Sequence, residues 1–537
     1  MNFNRVLDSV VDQIPEGRPD RIAVSFDGRE RITYAEFREK SLRYAGALRD
    51  LGLVKGDRLG LMLLNDPEYI PLYLAALRLG VICVRLNFRL APEELKFILA
   101  DSGCKAVIIH SSLLAKVEPV REQTGVAEFV VRQDSSDPVP AWAQPFEVLL
   151  GVKPVDPAAM PAITEQDSAA LLYTSGTTGL PKGAIWTHGN TVGAATMQAL
   201  RWQFSPDTVA LVPGPLYHAG GFEAVTAPVL LVHGTAVCLE SGNFTIEHLL
   251  EVLNREQVTD CLFFSFMLNE LLRVPDVEKR IPETLTHFII GGDTMMPWVV
   301  EEVRRRLPRI RLTQVYGLTE GGAITTTLDD RDFGTQRKSV GRPLTMAEAK
   351  VITLDGQLAA VDEVGEIAVR SPAVSPGYWN RPEANRATFA DGWCRTGDLG
   401  YVNADGFLVL AGRAKDMIRS GGENVYPAEV EKALTEHPNV LDAAVVAVPD
   451  PRYTEVGCAV LVMTADSDFD ETALRAYCRE RLASYKVPKY FVQQEQLPRN
   501  ASGKILKYVL RERYEKAVGN LTRSGHSSTT EQRGDRS

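Results

Sequence analysis

The chain has 537 residues, of which 45% are hydrophobic and 24% are charged, and its formal net charge is −10 at pH 7. This length exceeds one ordinary compact unit, so we expect at least two domains or several packed subdomains. The acidic balance lacks the basic footprint of proteins that bind a phosphate backbone, so no nucleic-acid partner is predicted.

Cysteine usage and the first residues bear on the cellular compartment. The seven cysteines are scattered and no CxxC pair occurs, which favours reduced thiols over a disulfide framework. The N-terminus lacks a charged region followed by an apolar core, so no signal peptide is predicted. No apolar run approaches the roughly 18 residues that a membrane helix needs. We therefore predict a cytoplasmic protein without a membrane span, and a homodimer stays an open alternative.

Short apolar runs and longer segments with helical periodicity alternate along most of the chain. This alternation predicts an α/β fold with helix-covered sheets. The predicted strands include Ala169–Tyr173, His287–Ile290 and Leu312–Tyr316, and the predicted helices include Tyr34–Leu51 and Ile246–Asn254. Glycine-rich turns follow these strands at 175–179, 291–292 and 317. Because ligands of open α/β sheets sit at the carboxyl ends of strands, we expect binding residues in these turns.

The pattern changes from about Leu408. A strand, a charged turn, a Gly-Gly turn and a helix opened by Pro427 are followed by strand-like runs at 443–448 and 457–463 and an amphipathic helix around 471–483. Such a segment of about 100 residues predicts a small α+β domain. The last residues are polar without a hydrophobic period, which is typical of disorder. The predicted division is a large multi-subdomain N-terminal domain (1–412), a hinge (413–416), a C-terminal α+β domain (417–518) and a tail (519–537).

The strongest single motif is YTSGTTGLPKG, residues Tyr173–Gly183. It follows an apolar strand, and its glycines let the backbone approach a ligand closely. Backbone N–H groups, hydroxyls and the Lys182 ammonium favour a polyphosphate. The spacing is not that of a Walker A loop, because Pro181 stands at the second glycine position and Gly183 follows the lysine. By composition alone, a flexible surface loop is an equal alternative.

Further motifs follow in order from about Arg31 to Arg511, nearly the whole chain. Together they resemble those of the acyl-adenylate-forming superfamily, which contains acyl-CoA synthetases, peptide-synthetase adenylation domains and firefly luciferase. The motifs are TYAEF (33–37), YTSGTTGLPKG (173–183), PLYHAGG (215–221), GGDTM (291–295), YGLTE (316–320), GRP (341–343), WCRTGDLG (393–400), GRAKDMI (412–418), SGGENVYPAEVE (420–431) and PRNASGKILK (498–507). The resemblance implies a large N-terminal domain and a small, mobile C-terminal domain.

The resemblance also implies a site for ATP and Mg²⁺. A carboxylate and ATP are both anions, and two unit charges about 4 Å apart repel by about 4 kcal/mol at an effective dielectric of ~20, so the site needs a metal ion and cationic donors. Glu320 and Thr177 are the implied Mg²⁺ ligands, since one carboxylate suffices beside phosphate and water. Taken alone, Glu320 reads as a helix cap or a surface carboxylate. The other implied nucleotide contacts are Thr174, Ser175, Gly176, Thr178, Gly179, Lys182, Gly292, Asp293, Thr294, Tyr316, Gly317, Thr319, Asp398 and Arg413, of which Asp293 departs from the Ala, Ser or Glu of many members.

The C-terminal motifs imply a second set of roles. Lys504 is implied to bridge the acid carboxylate and the α-phosphate during adenylation, as a long flexible ammonium can. Without its motif, Lys504 reads as one more solvated lysine. Lys415 matches the hinge about which the C-terminal domain rotates between the two half-reactions. After that rotation, Gly421, Gly422 and Glu423 are implied to approach the thiol of coenzyme A.

The motif PLYHAGG implies the site of the carboxylic acid. His218 matches a residue that abuts the carboxylate, and Phe222 matches an aromatic gate of some long-chain members. An apolar wall and small residues are expected to complete the pocket, namely Phe264, Phe266, Gly321 and Gly322. A tunnel of this kind suits an apolar acid. Ordinary core packing is the alternative for the aromatic residues, and a satisfied core histidine is the alternative for His218.

We therefore expect an AMP-forming acid–CoA ligase, which converts a carboxylic acid, ATP and CoA to acyl-CoA, AMP and diphosphate. A medium- or long-chain fatty acid, or another apolar acid, is the expected substrate. An aryl-acid–CoA ligase and a stand-alone adenylation enzyme that loads a carrier protein are the alternatives. A non-catalytic nucleotide- or acyl-binding protein is disfavoured, because Glu320, Asp398, Arg413 and Lys504 are all present.

Overall fold

The computed structural model describes residues 20–524 apart from short gaps. The gaps are 135–137, 175–180, 242–243, 292–294, 296, 354, 414–415, 421–422, 451, 466 and 500–504. The chain divides into two compact units, of which the first is Met1–Lys350 with Ala368–Thr396 and the second is Val351–Ile367 with Gly397–Ser537. The second unit therefore includes a segment that precedes its main part in the sequence.

The first unit contains a large sheet whose central strands are parallel. Its strands follow in the order Ser339–Pro343, Thr326–Asp329, Arg311–Tyr316, His287–Gly291, Asp260–Phe264, Val209–Val212, Thr235–Cys238, Ile22–Phe26 and Glu30–Thr33. Parallel neighbours need crossover connections, which explains the alternation of helix and strand in the sequence. Phe264, Gly291 and Tyr316 end adjacent parallel strands, so they lie at the same edge of this sheet.

A second sheet of the same unit is parallel except at its last pair. Its order is Gln144–Pro145, Glu128–Arg132, Cys104–His110, Arg58–Met62, Ile82–Arg85, Ser168–Thr174 and Lys182–Thr187. The last two strands form an antiparallel hairpin, with Thr174 opposite Lys182. The two ends of the glycine-rich motif, Thr174 and Lys182, thus lie opposite each other in this hairpin.

The helix Tyr34–Asp50 of the first unit begins at a side-chain cap. The Thr33 hydroxyl accepts the Glu36 N–H while the Glu36 carboxylate accepts the Thr33 N–H, which is a capping box. The π-helical turn is Phe222–Thr226. The α-helices are Tyr34–Asp50, Tyr69–Leu79, Pro92–Ser102, Leu114–Val117, Glu147–Leu150, His188–Trp202, Ala227–Leu231, Ile246–Arg255, Ser265–Arg273, Val277–Arg280, Pro297–Arg306 and Pro382–Thr388.

One continuous buried cluster joins the two sheets of the first unit. It contains Leu61 and Leu171 from one sheet and Ile289 from the other. The helix Tyr69–Leu79 is buried over its whole length, as expected for a helix that is apolar all round. The hairpin and the large sheet therefore share one core.

The second unit is built on a smaller sheet with both faces covered. Its strands are Glu423–Val425, Ile418–Ser420, Thr454–Met463, Val440–Asp450 and Tyr490–Gln493, and its helices are Pro427–Thr435, Glu471–Arg481 and Lys507–Ser524. Val445 and Ala459 belong to one buried cluster, and Val446 and Cys458 belong to another. Alternate residues thus enter opposite cores, as the period of a strand requires. The remaining strands of the chain are Glu348–Ile352, Gly365–Arg370, Phe389–Ala390, Trp393–Val402 and Leu408–Arg413.

The predicted fold class is confirmed, and the predicted elements quoted above are present within one or two residues at most ends. The helix Lys507–Ser524 extends into the first residues of the predicted tail, and the rest of the tail lies outside the described residues. All seven cysteines are buried, and none of them forms a disulfide within the described residues. Among the described helices, none is both long and apolar enough to cross a membrane. The domain boundaries and the hinge at 413–416 stay predictions.

Candidate active site

The carboxylate of Glu320 lies next to the end of the hairpin. The Thr174 hydroxyl donates to Glu320 Oε1 at 2.9 Å, and the Tyr378 hydroxyl donates to the same oxygen at 3.0 Å. The other oxygen, Oε2, accepts no hydrogen bond from the residues that the structure describes. Because Glu320 is only half-buried, this second oxygen is available to a ligand. We call these three side chains the Glu320 cluster.

Tyr378 belongs to the segment 371–379, which we call the strap and which is hydrogen-bonded to its neighbours on both sides of Tyr378. The two residues flanking Tyr378 form backbone hydrogen bonds with the second hairpin strand, at 2.9 and 2.8 Å. The Ser375 N–H donates to the carbonyl oxygen of Glu320 at 2.9 Å. The strap therefore connects the hairpin to the residue that carries the carboxylate.

The Tyr378 hydroxyl is a permanent donor. Burial raises its pKa well above the ordinary value, and the charge of Glu320 raises the pKa further. The Lys182 Nζ lies 5.3 Å from the centre of the Tyr378 ring, within the range of a cation–π contact. The sequence analysis missed Tyr378, for which the local signal is only the aromatic pair after a glycine in GYW (377–379).

The turn 317–323 presents Glu320 after the strand that ends at Tyr316. A Cβ at Gly317 would lie 2.0 Å from the carbonyl oxygen of Ala323, so only glycine fits there. Gly322 has a φ of +99°, and its Cβ would lie 2.4 Å from Cβ of Ala373 in the strap. Close packing on the strap therefore shapes this turn, in which Tyr316 and Thr319 are half-buried.

Two glycines of this turn, Gly321 and Gly322, also pack closely against the protein itself. From the sequence, both are predicted to leave room for the acid. A Cβ at Gly321 would lie 2.5 Å from Leu318, and the space beside Gly322 is filled by Ala373. The small size of both residues thus serves packing within the protein, and their contact with the acid stays a prediction.

The Glu320 cluster fits a Mg²⁺ ion that arrives with a nucleotide. Mg²⁺ binds one or two carboxylates and completes its shell with phosphate oxygens and water. Glu320 offers one unengaged carboxylate oxygen beside the predicted phosphate turn. Within the described ranges, no group of three or more His, Cys, Asp or Glu side chains is arranged to hold a metal ion. The residues present thus suit a shared ion and not a cage made of protein alone.

Two predicted nucleotide residues meet in the second unit. Asp398 and Arg413 face each other on the paired strands Trp393–Val402 and Leu408–Arg413. Arg413 Nε lies 2.8 Å from Asp398 Oδ1, and their side chains are 34% and 9% exposed. The guanidinium therefore neutralises an almost buried carboxylate and still reaches solvent.

Other predicted site residues lie outside the described residues. They are Ser175, Gly176, Thr177, Thr178, Gly179, Gly292, Asp293, Thr294, Lys415, Gly421, Gly422 and Lys504. The side chains of Phe266 and Glu423 also lie outside the description, although the backbone of Glu423 begins the strand Glu423–Val425. The roles of all these residues stay predictions.

His218 lies in the turn that follows the strand Val209–Val212 and is half-buried. The Gly220 N–H donates to His218 Nδ1 at 3.0 Å. A ring nitrogen that accepts carries no proton, so we assign the proton of the neutral ring to Nε2. Burial, and secondarily the positive charge of Arg85, lower the pKa of His218 to about 4. At neutral pH, His218 is therefore an uncharged hydrogen-bond donor.

The aromatic residues of the predicted acid pocket are buried. The ring of Phe222 is 0% exposed and meets Tyr73 edge to face, with ring centres 4.9 Å apart. Phe264, which is 8% exposed, ends its strand beside Gly214. Phe222 is thus packed as a core residue in this conformation, and its predicted contact with the acid requires the ring to move.

Sequence profiles of two families match the chain. The profile described as AMP-binding enzyme matches residues 11–379, and the profile described as AMP-binding enzyme C-terminal domain matches residues 429–504. The first match covers well over half of the 537 residues. It includes the hairpin, the Glu320 cluster and His218.

Characterised relatives cover almost the entire chain. A 2-succinylbenzoate–CoA ligase of Bacillus velezensis is 36% identical, over 92% of this chain and 95% of the relative. The long-chain-fatty-acid–CoA ligase FadD13 of Mycobacterium tuberculosis is 34% identical, over 91% and 94%. A feruloyl-CoA synthase of Amycolatopsis is 36% identical, over 91% and 95%. These relatives share the ligation to CoA and differ in the named acid.

Solved structures show the same architecture. The o-succinylbenzoate CoA synthetase of Bacillus subtilis, in complex with its acyl-adenylate, matches with a TM-score of 0.81 and 33% identity, over 94% of this chain and 97% of that chain. ATP-bound MatB from Rhodopseudomonas palustris matches with a TM-score of 0.86 and 28% identity, over 96% and 100%. The similarity therefore extends through both units.

Proposed function

The chain belongs to the AMP-binding enzymes of the acyl-adenylate-forming superfamily, in the acyl-CoA synthetase branch, and from this premise we propose that it activates an apolar carboxylic acid. It is an AMP-forming acid–thiol ligase that uses ATP and CoA. The proposed part concerns the acid and the residues that act on it. The observation that carries the activation of an acid by MgATP is the Glu320 cluster, because it offers an unengaged carboxylate oxygen next to Thr174, where the predicted phosphate turn begins.

In the first half-reaction, the acid carboxylate attacks the α-phosphate of ATP, and diphosphate leaves. Glu320, with Thr177 from the phosphate turn, would hold Mg²⁺, which supplies positive charge to the phosphates. Thr174 and Tyr378 donate to one oxygen of Glu320, so the carboxylate keeps one orientation. We propose that Lys182 adds charge on the phosphates, while Asp398 and Arg413 bind the ribose hydroxyls.

We propose that His218 receives the acid carboxylate. Its Nδ1 is engaged by the Gly220 N–H, which leaves the Nε2–H to donate. A neutral donor orients a carboxylate without forming an ion pair, so the carboxylate keeps its nucleophilicity. Lys504 is proposed to neutralise the charge that builds up between the carboxylate and the α-phosphate. In the second half-reaction, the thiol of CoA attacks the acyl carbon and AMP leaves, with Gly421, Gly422 and Glu423 proposed to border the thiol.

The acid is proposed to be a medium- or long-chain fatty acid or another apolar acid. This class is supported by the apolar residues around the His218 turn and by the relative named for long-chain fatty acids. A compact aryl acid is a second candidate, favoured by the full burial of Phe222. That ring packs edge to face against Tyr73, so a long alkyl chain that passes this position would have to displace it. Two relatives are named for ring-containing acids, 2-succinylbenzoate and ferulate.

A substrate panel tests the proposal. Purified enzyme with MgATP receives octanoate, palmitate, benzoate, 2-succinylbenzoate or ferulate, and acid-dependent exchange of pyrophosphate into ATP is measured without CoA. CoA-dependent AMP release is then measured for the active acids. We expect exchange with at least one apolar acid and AMP release only with CoA present. Exchange with none of the acids would contradict the proposal, and turnover with a carrier protein in place of CoA would favour the carrier-loading alternative.

A further inference from the structure

A buried ion pair lies beneath the turn that carries His218. Arg85 Nη2 donates to both carboxylate oxygens of Glu223 at 2.7 Å, and both side chains are 0% exposed. The guanidinium also lies 5.6 and 5.5 Å from the ring centres of Tyr73 and Phe222. Because removal of two charges from water is costly, a buried pair is weak evidence for a contribution to stability.

The backbone of Leu216 is hydrogen-bonded to Arg85, one member of the pair, and to the buried side chain of Asn65. Arg85 Nη1 donates to the Leu216 carbonyl oxygen at 3.3 Å, and Asn65 Oδ1 accepts the Leu216 N–H at 2.8 Å. Asn65 Nδ2 also donates to the carbonyl oxygen of Gly214 at 3.0 Å. Leu216 precedes His218 by two residues, so its backbone is fixed on both sides where the turn begins.

Glu223 fixes the other end of the same turn. It lies in the π-helical segment Phe222–Thr226, directly after the turn. The Gly221 and Phe222 N–H groups both donate to the His218 carbonyl oxygen, at 2.9 and 3.2 Å. The ion pair therefore connects Leu216, two residues before His218, to the helical segment that follows the turn.

We propose that Arg85, Glu223 and Asn65 are positioning residues, which fix the His218 turn so that the Nε2–H points at the acid carboxylate. This inference rests on the proposed function of His218. It predicts an effect on the acid and not on ATP, because the described contacts of the three side chains are with the His218 turn and its surroundings. The residues act through His218 and do not touch the substrate themselves.

The test replaces the pair without leaving a lone buried charge. Arg85→Met/Glu223→Met keeps unbranched side chains of similar length and removes the hydrogen bond to Leu216, since methionine adapts to irregular core space. We expect the KM for the acid to rise at least fivefold and the KM for ATP to change less than twofold, in pyrophosphate exchange. The same double replacement is then made in a His218→Ala background. In that background, the double replacement should change the KM for the acid less than twofold, because the effects of coupled residues are not additive.

Controls separate the inference from the proposed function. Arg306→Met/Glu278→Met removes an ion pair elsewhere in the first unit, in which Arg306 Nε and Nη2 both donate to Glu278 Oε2 at 3.1 and 2.9 Å, and should leave both KM values unchanged. Asn65→Ala should reproduce the selective rise in acid KM, and it decides the test if the double variant does not fold. A wild-type enzyme without exchange, or a His218→Ala variant with normal acid KM, overturns the proposed function and the inference with it. Equal effects of the pair in both His218 backgrounds overturn the inference alone.

Discussion

The hydroxyl group of Tyr378 links the strap to the carboxylate of Glu320. Tyr378→Phe removes its 3.0 Å hydrogen bond to Glu320 and keeps the ring that packs on Lys182. A hydrogen bond to a charged group contributes about 1.5–3 kcal/mol, and about 1.4 kcal/mol corresponds to a factor of ten. We therefore expect kcat/KM for MgATP to fall about tenfold or more, measured by pyrophosphate exchange at saturating acid.

A matched tyrosine separates this effect from a general loss of stability. The Tyr44 hydroxyl donates to Glu68 at 2.6 Å inside the same unit. Tyr44→Phe should lower the melting temperature and leave kcat/KM for MgATP unchanged. If both variants reduce kcat/KM equally, Tyr378 supports the fold and not the carboxylate.

At the scale of elements, the first residue of the helix His188–Trp202 makes stability depend on pH. His188 is 0% exposed, and neither ring nitrogen has a hydrogen-bond partner among the described residues. Burial lowers its pKa to about 4, and the positive end of the helix dipole also opposes a charge there. Because the unfolded His binds its proton near pH 6.5, the unfolded state carries more protons between about pH 6.5 and 4. Stability therefore falls as the pH drops through this window.

The measurement compares urea unfolding at pH 7.5, 6, 5 and 4.5 for wild type and His188→Gln. We expect His188→Gln to be less stable than wild type at pH 7.5, because an amide then lies in a buried site. Between pH 7.5 and 4.5, the variant should lose less free energy of unfolding than wild type. The difference between these two losses should approach about 3 kcal/mol at the lowest pH. Parallel curves would show that His188 does not set the pH dependence.

The geometry of the turn 317–323 depends on glycine. Gly322→Ala places a Cβ 2.4 Å from that of Ala373 at a φ of +99°, so the turn and the strap must separate. Such strain costs about 1–3 kcal/mol, and we expect a lower melting temperature together with weaker MgATP binding, since Glu320 moves with the turn. Gly334→Ala is the control, because a Cβ there meets nothing within 4 Å. Loss of stability with unchanged MgATP binding would contradict the coupling.

The sequence predicts those elements well whose cause is local. The first hairpin strand, predicted at Ala169–Tyr173, follows from its apolar run, and the helix Tyr34–Asp50 follows from apolar periodicity and from the cap next to it in the chain. The strap could not be predicted in this way, because its sequence has neither helical nor strand periodicity. Its partner Glu320 is also distant in sequence. The burial of Phe222 was also unpredictable, since an aromatic residue in a motif looks the same whether it lines a pocket or fills a core.

At the scale of the whole molecule, the second unit is discontinuous. It includes Val351–Ile367 as well as the chain from Gly397 onwards. The change in composition along the sequence predicts a single boundary. It gives no basis for assigning the earlier segment Val351–Ile367 to the second unit. The ordered motifs, in contrast, identify the family because they sample both units.

The second unit also carries Lys504, which lets the two half-reactions be tested separately. Lys504→Ala should reduce acid-dependent pyrophosphate exchange by about 10²–10³, the usual loss of one electrostatic stabiliser of the transition state. Formation of acyl-CoA from a supplied acyl-adenylate and CoA should change less than about threefold, because the acid no longer carries a carboxylate charge once the acyl–phosphate bond has formed. Lys516→Ala, at a side chain that is 75% exposed in the same unit, is the control and should alter neither rate. Equal loss of both half-reactions in Lys504→Ala would show that this lysine supports the unit and has no role confined to adenylation.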